Sequence, residues 1–183
     1  MTLAFRNRQR DRALNLPLLR RVTRHLLCEE FKVTDCELCF HFVAPEEMAE
    51  LNWQFLQHEG STDVITFDHS NLGAPVSKPA RGLKGHQRAD LEIGAPRLHG
   101  EIFISVADAV KQARAFRTTW QSELVRYIIH ALLHLRGHDD LQPAKRRVMK
   151  REENRLIKLA TARLQLRDLA RTRNAKRETR NSV

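Results

Sequence analysis

The sequence predicts an α+β fold, one small domain in which a single mixed sheet of about four strands is covered by helices, with a basic helical C-terminal extension. Three observations carry that prediction. Strand-like and helix-like apolar periods are intermixed along the chain, as in a sheet with helices packed on it. At 183 residues with 42% hydrophobic content, the chain can bury one core, so one domain is expected. The charge is unevenly placed: the formal net charge is +10, and residues 144–183 alone carry fourteen Lys or Arg against four acids. The expected division is a domain over residues 1–159, with a surface insertion at about 68–99, and a basic, partly disordered tail over 160–183.

Taken in order, Leu3 to Asn7 reads as a short strand, and the basic, turn-prone residues 8–13 follow it. Asn15 caps a helix running to about Glu30, with Leu19, Val22, Leu26 and Leu27 inside. Cys36 to Val43 alternates as a strand. Pro45-Glu46-Glu47 opens a second helix, with proline at its first position and acids in its first turn; Met48, Leu51, Phe55 and Leu56 continue it. Val64 to Phe67 reads as a third strand. Residues 68–99 then lose both periods in Gly, Pro, Ser, Lys and Arg, which predicts a mobile insertion. Glu101 to Ser105 restores strand character, and Ser105 with Asp108 caps a helix through Phe116. Thr118 and Gln121 are placed for a capping box, and Leu124, Val125, Ile128, Ile129, Leu132 and Leu133 mark the buried face of the helix after it. From Gln142 to about Ala170 a last helix carries Val148, Met149, Leu156, Leu159 and Leu166, with disorder expected beyond Arg171.

No apolar run approaches membrane-spanning length, and the N-terminus lacks the apolar segment of a secretory signal. A cytoplasmic, monomeric protein without membrane association is expected. Three cysteines are an odd number, and Cys36 and Cys39 sit three apart in a strand, which points them to opposite faces. They read as packing residues, with metal or redox chemistry as the alternative. A basic, Arg-rich tail on a nearly neutral body suggests a polyanion, and RNA is the first such partner to consider. The plain alternative is a solvated helix and a frayed end.

The densest chemistry lies in His130-Ala-Leu-Leu-His134-Leu-Arg-Gly137-His138-Asp139-Asp140. Two imidazoles one helical turn apart project from one face at a separation that one metal ion can bridge. Gly137 supplies a left-handed stop, after which Asp140 can swing back toward both rings. This spacing builds a two-nitrogen, one-oxygen site with a coordination position open, as catalytic zinc requires. His138 is the alternative third ligand if the helix runs on through Gly137. A pair of satisfied core histidines is the reading without a metal.

At this point the sequence resembles the YbeY-type endoribonucleases, metal-dependent bacterial proteins linked to ribosomal RNA maturation. The resemblance rests on Leu51-Asn52, on Thr62-Asp63-Val64-Ile65-Thr66-Phe67, on Gly100 to Ser105, on His130 to Asp140, and on Met149 to Leu156. It implies a single-strand-specific, Zn2+-dependent endoribonuclease acting in ribosomal RNA processing and ribosome maturation or quality control, with the ribosome or its precursors as partner. It differs from the family in two places. Asp140 stands where the family usually has a third histidine, and Leu56 and His58 stand where it tends to have an arginine and then a lysine.

Residue by residue, His130, His134 and Asp140 are expected to hold the metal. Asp63 and Glu101 are candidates for orienting a water or an imidazole, with strand-end capping as their alternative. Arg136, Lys145, Arg146 and Arg147 are expected to attract the RNA backbone without reading sequence. Two rivals remain. A zinc metalloprotease shares the ligand spacing, but Ala131 occupies the place of its general-base glutamate. A non-catalytic, metal-stabilised RNA or ribosome assembly factor would keep the fold and the basic tail.

Overall fold

The computed structural model describes residues 1–70, 74–75 and 98–170. Most of the expected insertion, and the segment beyond residue 170 expected to be disordered, lie outside the described residues. The elements are β1 (Thr2–Asn7), α1 (Leu16–His25), β2 (Cys36–Val43), α2 (Pro45–Leu56), β3 (Val64–Asp68), β4 (Ala74–Pro75), β5 (Leu98–Ser105), α3 (Val106–Phe116), α4 (Trp120–Leu135) and α5 (Pro143–Arg163). A π-helical turn (Leu26–Glu30) extends α1, and a 3-10 turn (Leu166–Leu169) follows α5. The strands form one mixed sheet in the order β1-β2-β5-β3-β4. β1, β2 and β5 run parallel, and β3 runs antiparallel to both β5 and β4. The predicted sheet is therefore present, with two-residue β4 added at its edge.

Strand alternation divides the core. Phe40, Phe42, Ile102, Ile104 and Val64 point to the face covered by α1 and α4. Val43, Ile65 and Phe67 point to the other, where Met48 and Leu51 of α2 pack on them. α4 lies deepest, with Leu124, Val125, Ile128, Ile129, Leu132 and Leu133 all fully buried. Its C-terminal end comes close to the sheet at Gly100. A Cβ there would stand 2.4 Å from the Phe67 carbonyl oxygen and 3.3 Å from Leu135, so only glycine allows the approach.

Three details differ from the sequence reading. The cap of α4 is Thr119, whose hydroxyl accepts the Ser122 N–H at 3.2 Å. Thr118 instead donates to the buried Glu123 carboxylate at 2.7 Å, which is a better use of the hydroxyl than a second cap. The last helix stops at Arg163 because Leu164 adopts an extended backbone, and this turn lets Leu166 and Leu169 become buried. The Asn15 N–H donates to the Leu169 carbonyl at 2.9 Å, tying the turn to the start of α1. The packed body thus continues past residue 159, where Ala160 is itself buried, to Ala170. Asn15, Ser105 and Pro45 stand at the helix starts that the sequence predicts.

Candidate metal centre

α4 and the turn after it assemble the site. His130 and His134 are one turn apart, and their Nε2 atoms face each other at 2.9 Å. Gly137 closes the helix at φ +85°, its N–H donating to the His134 carbonyl at 2.8 Å while the His138 N–H reaches Leu133 at 3.0 Å. That closure brings an Asp140 carboxylate oxygen to 4.0 Å from His134 Nε2. Potential ligand atoms of all three residues lie within 4.8 Å of one another. The His138 ring is not part of this convergence. Its backbone carbonyl matters instead, accepting the His134 Nδ1–H at 3.1 Å.

The hydrogen bonds fix the ring tautomers. A carbonyl only accepts, so His134 carries its proton on Nδ1 and its lone pair on Nε2. His130 Nδ1 donates to the Glu153 carboxylate at 2.6 Å. Glu153 is buried on α5; burial alone would raise its carboxyl, but the His130 contact holds it below the usual carboxylate range. In neutral His130 the free lone pair is therefore also on Nε2. One proton shared between the two Nε2 atoms makes their 2.9 Å contact a hydrogen bond, and a cation that replaces this proton would be held by both nitrogens. Burial and the adjacent His130 push the His134 pKa below its usual value. Burial works against protonating His130 as well, but the Glu153 carboxylate outweighs it and raises that ring. The donor set, two neutral imidazole nitrogens and one carboxylate oxygen, suits zinc.

The cluster opens into a cavity of about 450 Å³ lined by His130, Asp140, Asp63, Arg126, Arg146 and Lys150, among others. Tyr127 also lines it, its hydroxyl pKa raised by burial and by the Asp63 charge. With this geometry stand the relatives of the chain. The family model described as Endoribonuclease YbeY matches residues 4–161.

The chain belongs to the YbeY endoribonuclease family.

An Endoribonuclease YbeY of Bacteroides fragilis is 33% identical over 121 residues, covering 66% of this chain and 70% of that protein. One of Salinibacter ruber is 29% identical over 148 residues, covering 80% and 84%. The solution structure of a Thermotoga maritima protein shares the fold, with a TM-score of 0.53 at 20% identity over 87% of this chain and 89% of that one.

The other residues singled out in this YbeY-family sequence are placed unequally. Asp63 lies in the cavity wall, one oxygen accepting the Val64 N–H at 2.9 Å. Glu101 is not brought to the histidines. It sits on the opposite face of the sheet, 3.3 Å from His41 and 3.8 Å from His69, because its strand neighbour Ile102 takes the α4 face. Arg146 lines the cavity and donates to the Asp140 carbonyl at 2.9 Å. Lys145 pairs with Asp139 at 3.0 Å, Arg136 caps α4 at the surface, and Arg147 lies in a groove along α5. Leu56 packs against the smaller core cluster, and His58 is exposed. Glu153, Arg126 and Lys150 are site residues that the sequence reading missed. Glu153 did leave a signal: Met149, Leu156, Ile157 and Ala160 give α5 an inward face, and a glutamate in that register needs a partner.

Among the described residues, no helix is long and apolar enough to cross a membrane.

Proposed function

We propose that this chain is a metal-dependent endoribonuclease that cuts single-stranded ribosomal RNA during ribosome maturation or quality control, with Zn2+ held by His130, His134 and Asp140. The convergence of the His130 and His134 Nε2 atoms at 2.9 Å, with each ring's Nδ1 fixed by its own partner, carries this reading. A divalent ion held there supplies Lewis-acid polarisation of a phosphate oxygen and hydroxide at neutral pH. The chain's own residues do the rest. Glu153 and the His138 carbonyl keep both imidazoles in the ligating tautomer and orientation. Arg126, Arg146 and Lys150 draw the scissile phosphate into the cavity and offset its charge. They stand in for the arginine and lysine replaced by Leu56 and His58. Asp63, in the wall beside His130, would accept the proton that the attacking water loses and return it to the departing oxygen.

Lys150 and Asn154 line both the cavity and a groove with Arg147, Arg151, Arg155 and Lys158, so a basic track leads along α5 from the site. RNA follows that track through phosphate contacts without base readout. Peptide hydrolysis is disfavoured because Ala131, in the position of the protease base, is fully buried in the core.

The test is cleavage of ribosomal RNA by pure wild-type protein and by His134→Ala, with folding checked by circular dichroism. Cleavage should fall by at least about 100-fold, the scale on which loss of a catalytic metal acts. RNA binding in both proteins with cleavage in neither would overturn the enzyme reading in favour of the assembly factor.

A further inference from the structure

The sheet face turned away from α4 carries a second set of ligating side chains. Cys39 and His41 are two residues apart on β2, and Glu101 of β5 is the direct partner of Cys39 in the register. Strand alternation therefore points all three to the same side. Potential ligand atoms of the three lie within 4.8 Å of one another. We propose that Cys39, His41 and Glu101 form a second metal site, separate from the α4 centre, that binds Zn2+ through a thiolate, an imidazole and a carboxylate.

The state of His41 supports this assignment. Its side chain is only 4% exposed, and its ring stacks on Phe103 with centroids 4.4 Å apart and planes within 8°, so it is held rigidly. Its polar needs are poorly met. Nδ1 is buried without a hydrogen-bond partner among the described residues, and the contact of Nε2 with Glu101 is 3.3 Å, well beyond the 2.6 Å bond of His130 to Glu153. Nε2 is the nitrogen that faces Glu101, and so the one that would ligate, and its loose 3.3 Å contact leaves it available to an ion. Cys39 and Glu101 are only partly buried, which leaves an ion a way in. The other oxygen of Glu101 stands 3.8 Å from His69 Nε2. The mix of sulfur, nitrogen and oxygen selects zinc or a similar borderline cation over magnesium or calcium, which take oxygen alone.

The two centres differ in one chemical respect: the His130, His134 and Asp140 cluster contains no sulfur. Cobalt(II) is thus a discriminating probe, because a thiolate ligand gives it a near-ultraviolet charge-transfer band that nitrogen and oxygen ligands do not. Full-length protein stripped with a chelator and titrated with Co2+ should develop that band, saturating at one thiolate-bound ion per chain. Cys39→Ala should abolish it, and Cys28→Ala and Cys36→Ala should keep it. Glu101→Gln, which retains the thiol and the shape, should weaken the ion responsible for the band by at least tenfold and guards against misfolding of the cysteine variant. No thiolate band in the wild type, or a band that survives Cys39→Ala, overturns the proposal. Neither result touches the α4 centre, which is read from RNA cleavage.

Discussion

At the scale of single residues, the site is decided by which nitrogen of each imidazole is occupied. His130 and His134 are visible in the sequence because one-turn spacing is a geometric statement about a helix. Their orientation is not, since it depends on a carboxylate from α5 and a carbonyl beyond Gly137, and neither belongs to a local pattern. Glu153 accordingly offers a sharp prediction. Glu153→Gln keeps the volume and an accepting oxygen but removes the charge that holds the proton on His130 Nδ1. Zinc affinity, measured by competition with a chromophoric chelator, should fall by about 10–100-fold, the usual consequence of losing such an outer partner. Unchanged affinity would reduce Glu153 to a structural acid paired with Arg126 and Lys150.

At the scale of elements, legibility followed locality. Asn15, Pro45 and Ser105 signal helix starts through their own side chains, and the structure uses them so. The α4 start slipped by one residue because two adjacent threonines compete for the cap and the buried Glu123 claims one of them. Leu166 continues a helical spacing past Arg163, but a tertiary contact, the docking of Leu169 on Asn15, ends α5 before it. Gly137 shows a local signal and a function coinciding. At φ +85° with nothing among the described residues within 4 Å of a would-be Cβ, Gly137→Ala meets no clash with them, only the left-handed backbone cost of roughly 1–2 kcal/mol. The melting temperature should drop by the equivalent of that cost. Zinc affinity should drop too, because any relaxation of the turn carries Asp140 away from His134. A variant that melts lower yet binds zinc as tightly as the wild type would separate the turn from the third ligand.

At the scale of the whole molecule, charge and packing must be separated before the tail can be tested. Residues 160–170 are part of the packed body, since Ala160, Leu166 and Leu169 are buried. A deletion beginning at residue 160 would remove those contacts as well as charge, and each lost leucine costs about 2–5 kcal/mol. Any effect on RNA would then be confounded with unfolding. Cutting after Ala170 instead removes five basic residues against one acidic, a net charge of +4, and keeps Ala160, Leu166 and Leu169 in the chain. The exposed face of α5, with Arg147, Arg151, Arg155 and Lys158, stays in place beside the cavity. If the last thirteen residues grip RNA phosphates, the slope of log affinity against log salt for a single strand should become shallower by up to about 3.5, from about 0.7 per lost contact of five basic residues. If α5 alone carries the electrostatic contact, the slope and the cleavage rate should both stay at the full-length values.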